Sequence, residues 1–186
     1  HDSMHGGAAQ DNSPSSSALE RAEICLHSAK HSIDASNEMN GSVEQGISEL
    51  DTILKDDENN LEALFCKTKL VSLTHDYQAT VDLVGKIFAE TRRVAPRNPK
   101  NGKSQVGKFL HMHFAITLLE AEAYAKMGKD NRALPVYMRI NAWKENGAKY
   151  TEPQMLELDR SWCWFHYSKG EFDDAVATGV RAISAN

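Results

Sequence analysis

Hydrophobic residues recur every three or four positions along most of this chain, which is the spacing of one face of an α-helix. The first such stretch contains Ala18, Ala22, Leu26 and Ala29, and seven further stretches follow it. The sequence therefore predicts an all-α fold of eight helices with no sheet. Residues 1–16 are polar and have almost nothing to bury, so they predict a disordered tail or a vector remnant.

Residues that favour turns separate the predicted helices, at Gly41, His75, Gly128 and Gly170. Gly41 is expected to end the first helix. His75 follows Gly41 by 34 residues, Gly128 follows His75 by 53, and Gly170 follows Gly128 by 42. The spacing thus starts at 34 residues and is later lengthened by two insertions.

Both insertions coincide with segments whose composition predicts a loop. Residues 92–108 contain two prolines, two glycines, six basic residues and no acid, so they predict an exposed basic linker. Residues 145–153 form the second predicted loop, in which Pro153 suits the first turn of the next helix. The chain is therefore expected to be one helical repeat domain over residues 17–186 with a basic linker inside it.

Small residues share one face of the last predicted helix. Ala175, Gly179 and Ala182 are spaced by four and then three residues, which lets a neighbouring helix approach closely. An earlier segment contains, in order, a small, an aromatic, a turn, a small and an aromatic residue: Ala121, Tyr124, Gly128, Ala133 and Tyr137. Together with the spacing of 34, these residues resemble the tetratricopeptide repeat (TPR), a helix–turn–helix unit of about 34 residues.

The resemblance implies an antiparallel helix-pair solenoid, a right-handed superhelix of about four units. In that family the first helix of each unit lines a concave groove that holds an extended peptide or a partner helix. The residues of this chain expected in such a groove are His31, Phe65, Lys69, Leu118, Glu122, Arg160, Trp164 and Tyr167. A generic helical bundle is the alternative architecture.

Composition and charge narrow the functional classes. The net charge of −5 argues against nonspecific nucleic-acid binding by the whole molecule. No apolar run approaches the roughly 20 residues of a membrane helix, so no membrane insertion is expected. Three widely spaced cysteines in helical patterns indicate buried thiols in a reducing compartment, hence the cytoplasm or nucleus. The chain starts with His1, so its natural termini are expected elsewhere.

Motifs that could carry chemistry are incomplete. The segment 101–104 resembles the end of a phosphate-binding loop, but Arg97 stands where that loop needs its first glycine. His27 and His31 lie four residues apart, and no third ligand accompanies them as a zinc site requires. The cysteines lie in the middle of apolar helices, where burial suppresses the thiolate. We therefore expect no cofactor, no metal and no enzymatic activity.

The expected function is that of a protein–protein interaction scaffold or adaptor within a larger assembly. One alternative is a reader of a phosphorylated or acidic partner, or of nucleic acid, through the basic linker residues Arg92, Arg93, Arg97, Lys100 and Lys103. Another is a regulatory subunit of an enzyme. The last helix also has a second apolar strip at Val176, Val180 and Ile183, which predicts self-association or cover by a partner or by further repeats.

Overall fold

The computed structural model describes the backbone of residues 14–31, 36–94 and 103–184, and side chains within 18–27, 41–93 and 112–183. This backbone contains eight α-helices and no strand, so the all-α prediction is confirmed for the described residues. None of the described helices is long and apolar enough to cross a membrane. The helices are α1 (Pro14–His31), α2 (Ser36–Asp56), α3 (Leu61–Leu73), α4 (Tyr77–Val94), α5 (Lys103–Lys126), α6 (Asp130–Glu145), α7 (Glu152–Ser168) and α8 (Phe172–Ser184).

The helices form two compact units, His1–Thr74 and His75–Asn186. In the first unit α2 packs against both α1 and α3. The core there is built from small and branched side chains: Ala18, Ala22, Val43, Leu50, Ile53, Ala63, Cys66 and Leu70. The boundary falls within the second predicted repeat, and the prediction of one continuous repeat domain stays a prediction.

In the second unit α5 packs against α4, α6 and α7, and α7 packs against α8. Its core is more aromatic, with Phe114, Tyr137 and Phe165 all but fully buried. The two short turns at residues 127–129 and 169–171 return the chain as helical hairpins. Helices that are neighbours along the chain thus pack against each other, as the apolar faces of the predicted helices indicate.

Three of the four predicted turns are confirmed. His75, Gly128 and Gly170 have φ values of 63°, 68° and 76°, the left-handed conformation that commonly ends a helix. Gly41 was wrongly expected to end α1, because it lies inside α2. A glycine in a helix costs about 1 kcal/mol relative to alanine but does not stop the helix. The 34-residue spacing between Gly41 and His75 is therefore not a spacing between turns.

The predicted basic linker is shorter than 92–108. Arg92 and Arg93 belong to the last turn of α4, where positive charge is favourable at a helix C-terminus. The helix ends at Val94, two residues before Pro96, because a proline disfavours helical geometry in the residue before it. The next helix, α5, already begins at Lys103. Arg97 and Lys100 lie outside the described residues.

The small-residue face of α8 packs as its spacing predicts. Ala175 and Ala182 are buried, and a Cβ added at Gly179 would lie 3.5 Å from Cys163 Sγ of α7. The Cys163 thiol donates a hydrogen bond to the Ala175 carbonyl oxygen at 3.2 Å. These contacts fix α7 against α8 and so help to position the surface described next.

Candidate partner-binding surface

Three of the predicted groove residues lie around one depression between α5 and α7. Glu122 comes from α5, whereas Arg160 and Trp164 lie one turn apart on α7. Their neighbours Lys126, Glu157 and Ser161 complete the lining, and the cavity volume is about 350 Å³. We call this surface the α5–α7 depression; it lies wholly within the second unit.

The start of α7 is fixed by its sequence. Thr151 caps the helix by accepting a hydrogen bond from the Gln154 N–H, and the Gln154 side chain accepts one from the Thr151 N–H at 2.8 Å. This reciprocal capping box satisfies two backbone donors that would otherwise lack partners. Pro153 lies in the first turn, as predicted. The capping box and Pro153 therefore explain why α7 begins at Glu152.

A buried hydrogen bond holds Ser161, one of the residues that line the depression. The Tyr137 hydroxyl of α6 and the Ser161 hydroxyl of α7 lie 2.7 Å apart. Burial raises the pKa of Tyr137 above its ordinary value, so the phenol stays neutral at physiological pH. This bond ties α6 to α7 and holds Ser161 close to Glu122.

Glu122 is a partly buried carboxyl group without a full counter-charge. Burial raises its pKa, the hydrogen bond from Ser161 opposes that rise, and the negative charge of Glu157 adds to it. Lys126 and Arg160 lower the pKa more weakly. Among the described side chains, no lysine, arginine or histidine forms an ion pair with Glu122. The group is therefore an available acceptor facing the depression.

The rim of the depression carries an aromatic ring with a cation on it. Lys126 Nζ lies 3.4 Å from the centroid of the Trp164 ring, which is a cation–π contact. Trp164 is half-buried, whereas Lys126, Glu157 and Arg160 are exposed. The depression thus offers one aromatic face together with charges of both signs.

Comparison with known proteins adds no assignment. No protein-family model matches the chain, and a search of curated proteins finds no significant match. The resemblance to the tetratricopeptide repeat therefore depends on the small, aromatic and turn residues named above, without the Gly41–His75 spacing.

The other predicted groove residues lie elsewhere. Leu118 is only 2% exposed and belongs to the core of the second unit, so its assignment to a groove was wrong. Tyr167 is exposed, and its ring packs edge-on against Phe172 of α8 at 5.7 Å. In the first unit, Lys69 Nζ lies 4.1 Å from the centroid of the Phe65 ring. The His31 side chain lies outside the described residues.

The predicted basic cluster is only partly described. Arg92 is exposed, and Arg93 binds both carboxylate oxygens of Glu90 through its Nε, at 2.8 and 2.9 Å. The hydrogen bonds from Arg93 lower the pKa of Glu90. The side chain of Lys103 lies outside the described residues, like Arg97 and Lys100. At least one of the predicted linker charges, Arg93, therefore forms an ion pair within α4.

Sequence reasoning missed a polar cluster at the turn between α7 and α8. His166 Nδ1 lies 2.6 Å from Glu171 Oε2, and Asp174 lies close enough for the three to resemble a metal-binding group. Trp162 Nε1, however, donates to His166 Nε2, and Lys169 pairs with Glu171 at 3.0 Å. His166, and then Lys169, lower the pKa of Glu171. Both ring nitrogens are engaged, so the cluster stabilises the turn.

A second exposed surface follows α8. Its members are large apolar side chains between 55% and 77% exposed, and we call them the α8 apolar strip: Phe172, Val176, Val180 and Ile183. The sequence placed the last three outside the packed face, and their exposure is confirmed. Whether this strip mediates self-association stays a prediction.

Proposed function

We propose that this protein is a non-enzymatic interaction module that binds a peptide segment or a partner helix across the α5–α7 depression. The observation that carries the proposal is the convergence of Glu122, Arg160 and Trp164, from two helices, on one open surface. A half-buried tryptophan flanked by an arginine and by acceptors has the composition of a binding hot spot. The TPR-like solenoid of about four units is part of the same proposal.

Several features support binding rather than catalysis at this surface. The hydroxyl of Ser161 is buried and already shares a hydrogen bond with Tyr137, so it is not poised as a nucleophile. The carboxyl groups of Glu122 and Glu157 are not accompanied by a histidine in the lining. Cys25, Cys66 and Cys163 are unpaired, which fits the expected cytoplasmic or nuclear location.

The basic linker receives less support as a second site. Its described members are Arg92 and Arg93, which lie in α4, and Arg93 pairs with Glu90. No observation on the described residues favours a reader of acidic partners or a regulatory subunit over the adaptor. Those alternatives remain open to the experiment below.

A peptide-display selection on the immobilised chain tests the proposal. We expect short peptides to be enriched on the wild type, and Trp164→Ala to weaken their binding by at least about tenfold. Arg160→Glu, which alters an exposed residue, should weaken it as well. Phe172→Ala is the matched control, because it removes an exposed aromatic ring outside the depression. Circular dichroism checks that each variant is folded.

Two results would contradict the proposal. One is a failure to enrich any peptide on the wild-type chain. The other is enrichment that Phe172→Ala abolishes and Trp164→Ala leaves intact, because binding would then involve the α8 apolar strip. A peptide captured through the α5–α7 depression must depend on Trp164.

A further inference from the structure

The Trp164 ring already binds an ammonium group supplied by the protein itself. Lys126 Nζ lies 3.4 Å from the ring centroid, well within the roughly 6 Å range of a cation–π contact. Lys126 is the last residue of α5 and is exposed, so its side chain can leave the ring without unfolding the helix. The contact therefore shows which chemistry the ring face accepts, and its occupant is replaceable.

The carboxyl groups beside the ring favour the same sign of charge. Glu122 has Ser161 as its hydrogen-bond partner and no ion pair among the described residues, and Glu157 lies on the same rim. If Lys126 moves into solvent, two carboxyl groups and the single cation Arg160 remain in the lining. When Glu122 is ionised, a positively charged group that replaces Lys126 meets a site with net negative charge.

From these contacts we propose that the α5–α7 depression binds a lysine or arginine side chain of the partner, in exchange for Lys126. This inference rests on the proposed function, because it specifies what the bound segment presents. The cavity of about 350 Å³ is at the low end for ligand pockets, which suits one long side chain. Lys126 acts as an internal occupant that the partner's cation displaces.

An anionic partner group fits this surface less well. It would have to approach Arg160 and Lys126 while lying beside Glu122 and Glu157, and it would draw Lys126 away from the Trp164 ring. An arriving cation, by contrast, stabilises the ionised form of Glu122, whose pKa is raised by burial. Cation binding should therefore strengthen as the pH rises and Glu122 loses its proton.

Nuclear magnetic resonance on the full ¹⁵N-labelled chain tests the inference with three blocked amino acids. The probes are N-acetyl-lysine methylamide, its neutral norleucine analogue and the corresponding aspartate derivative. The readout is the Trp164 indole N–H signal, assigned by its loss in Trp164→Phe. We expect the lysine probe to shift this signal and the norleucine probe to leave it in place.

Variants of the lining give opposite effects. Lys126→Met removes the competing ammonium and keeps the aliphatic stem, so it should tighten lysine-probe binding roughly tenfold. Glu122→Gln should weaken it roughly fivefold or more, because the carboxylate charge is lost. Lys149→Met, an exposed lysine outside the depression, is the matched control and should change nothing.

Three outcomes would overturn the inference. They are binding of the aspartate probe that Lys126→Met abolishes, equal binding of the lysine and norleucine probes, and no lysine-probe binding even by Lys126→Met. The peptide selection separates this failure from that of the proposed function. If the selected peptides need Trp164 but contain no lysine or arginine, the proposed function stands and the inference of a bound cation is wrong. If the lysine probe binds but no peptide is enriched, the depression binds a cation and the proposed function is wrong.

Discussion

Gly46→Ala should destabilise the first unit although it replaces glycine by the best helix former. A Cβ at position 46 would lie 2.7 Å from Leu70 Cδ1 of α3 and 3.1 Å from Cys25 Cβ of α1. Leu70 is fully buried, and the Cys25 Cβ is attached directly to the backbone, so relief requires a shift of packed groups. Overpacking of this kind costs about 1–3 kcal/mol, while the helix gains up to about 1 kcal/mol from the substitution.

Gly41→Ala is the matched control because it lies on the same helix. A Cβ at Gly41 would have no neighbour within 4 Å, so the same intrinsic gain of up to about 1 kcal/mol should appear there without a penalty. The intrinsic gain cancels when the two variants are compared. Gly46→Ala should therefore be less stable than Gly41→Ala by about 1–3 kcal/mol.

Hydrogen exchange at buried amides of the first unit measures this difference directly. Protection at Leu50 should be roughly five- to 150-fold lower in Gly46→Ala than in Gly41→Ala. In a Leu70→Ala background the penalty at position 46 should shrink, since the nearest clashing methyl group is gone. Equal stabilisation by both alanines would refute the close packing of α2 against α1 and α3.

Three further predictions concern the second unit. Ala175→Leu should lower its stability by about 1–3 kcal/mol in thermal melts, because Ala175 is buried against α7, whereas Ala177→Leu on the exposed side of α8 should cost less; equal costs would contradict the assigned faces. Glu122→Gln should raise the free energy of unfolding at pH 7. Burial raises the pKa of Glu122 in the folded chain, so ionising this carboxyl group destabilises the fold as the pH rises above the unfolded pKa of about 4.3. The gain should vanish near pH 4, and an equal gain at both pH values would contradict a raised pKa. Val180→Lys should reduce concentration-dependent light scattering, and monomeric wild-type chains at all concentrations would argue against self-association through the α8 apolar strip.

The sequence was most informative about turns that need a special backbone conformation. Gly128 and Gly170 were identified because glycine adopts positive φ without strain, and both do so here. Gly41 was predicted wrongly because glycine also occurs within helices, and the sequence alone does not distinguish a turn from a close approach between helices. The close approach occurs instead at Gly46, and only the positions of Leu70 and Cys25 reveal it.

Part of the candidate site was also predictable from the sequence. The resemblance to the tetratricopeptide repeat implied a groove containing Glu122, Arg160 and Trp164, and these three residues do line one depression. Leu118 was placed wrongly because it lies four residues before Glu122, roughly 40° further round the helix, which is enough to turn it into the core. The Lys126–Trp164 contact depends on how α5 and α7 are rotated against each other, and spacing along one helix does not determine that.

The most direct test of the central claim is a map of backbone amide shifts in the ¹⁵N-labelled chain bound to a display-selected peptide. The proposed function predicts that the largest changes cluster around Glu122 and Lys126 of α5 and around Arg160 and Trp164 of α7. Changes confined to the α8 apolar strip, or spread over the first unit with none at those four residues, would contradict binding across the α5–α7 depression.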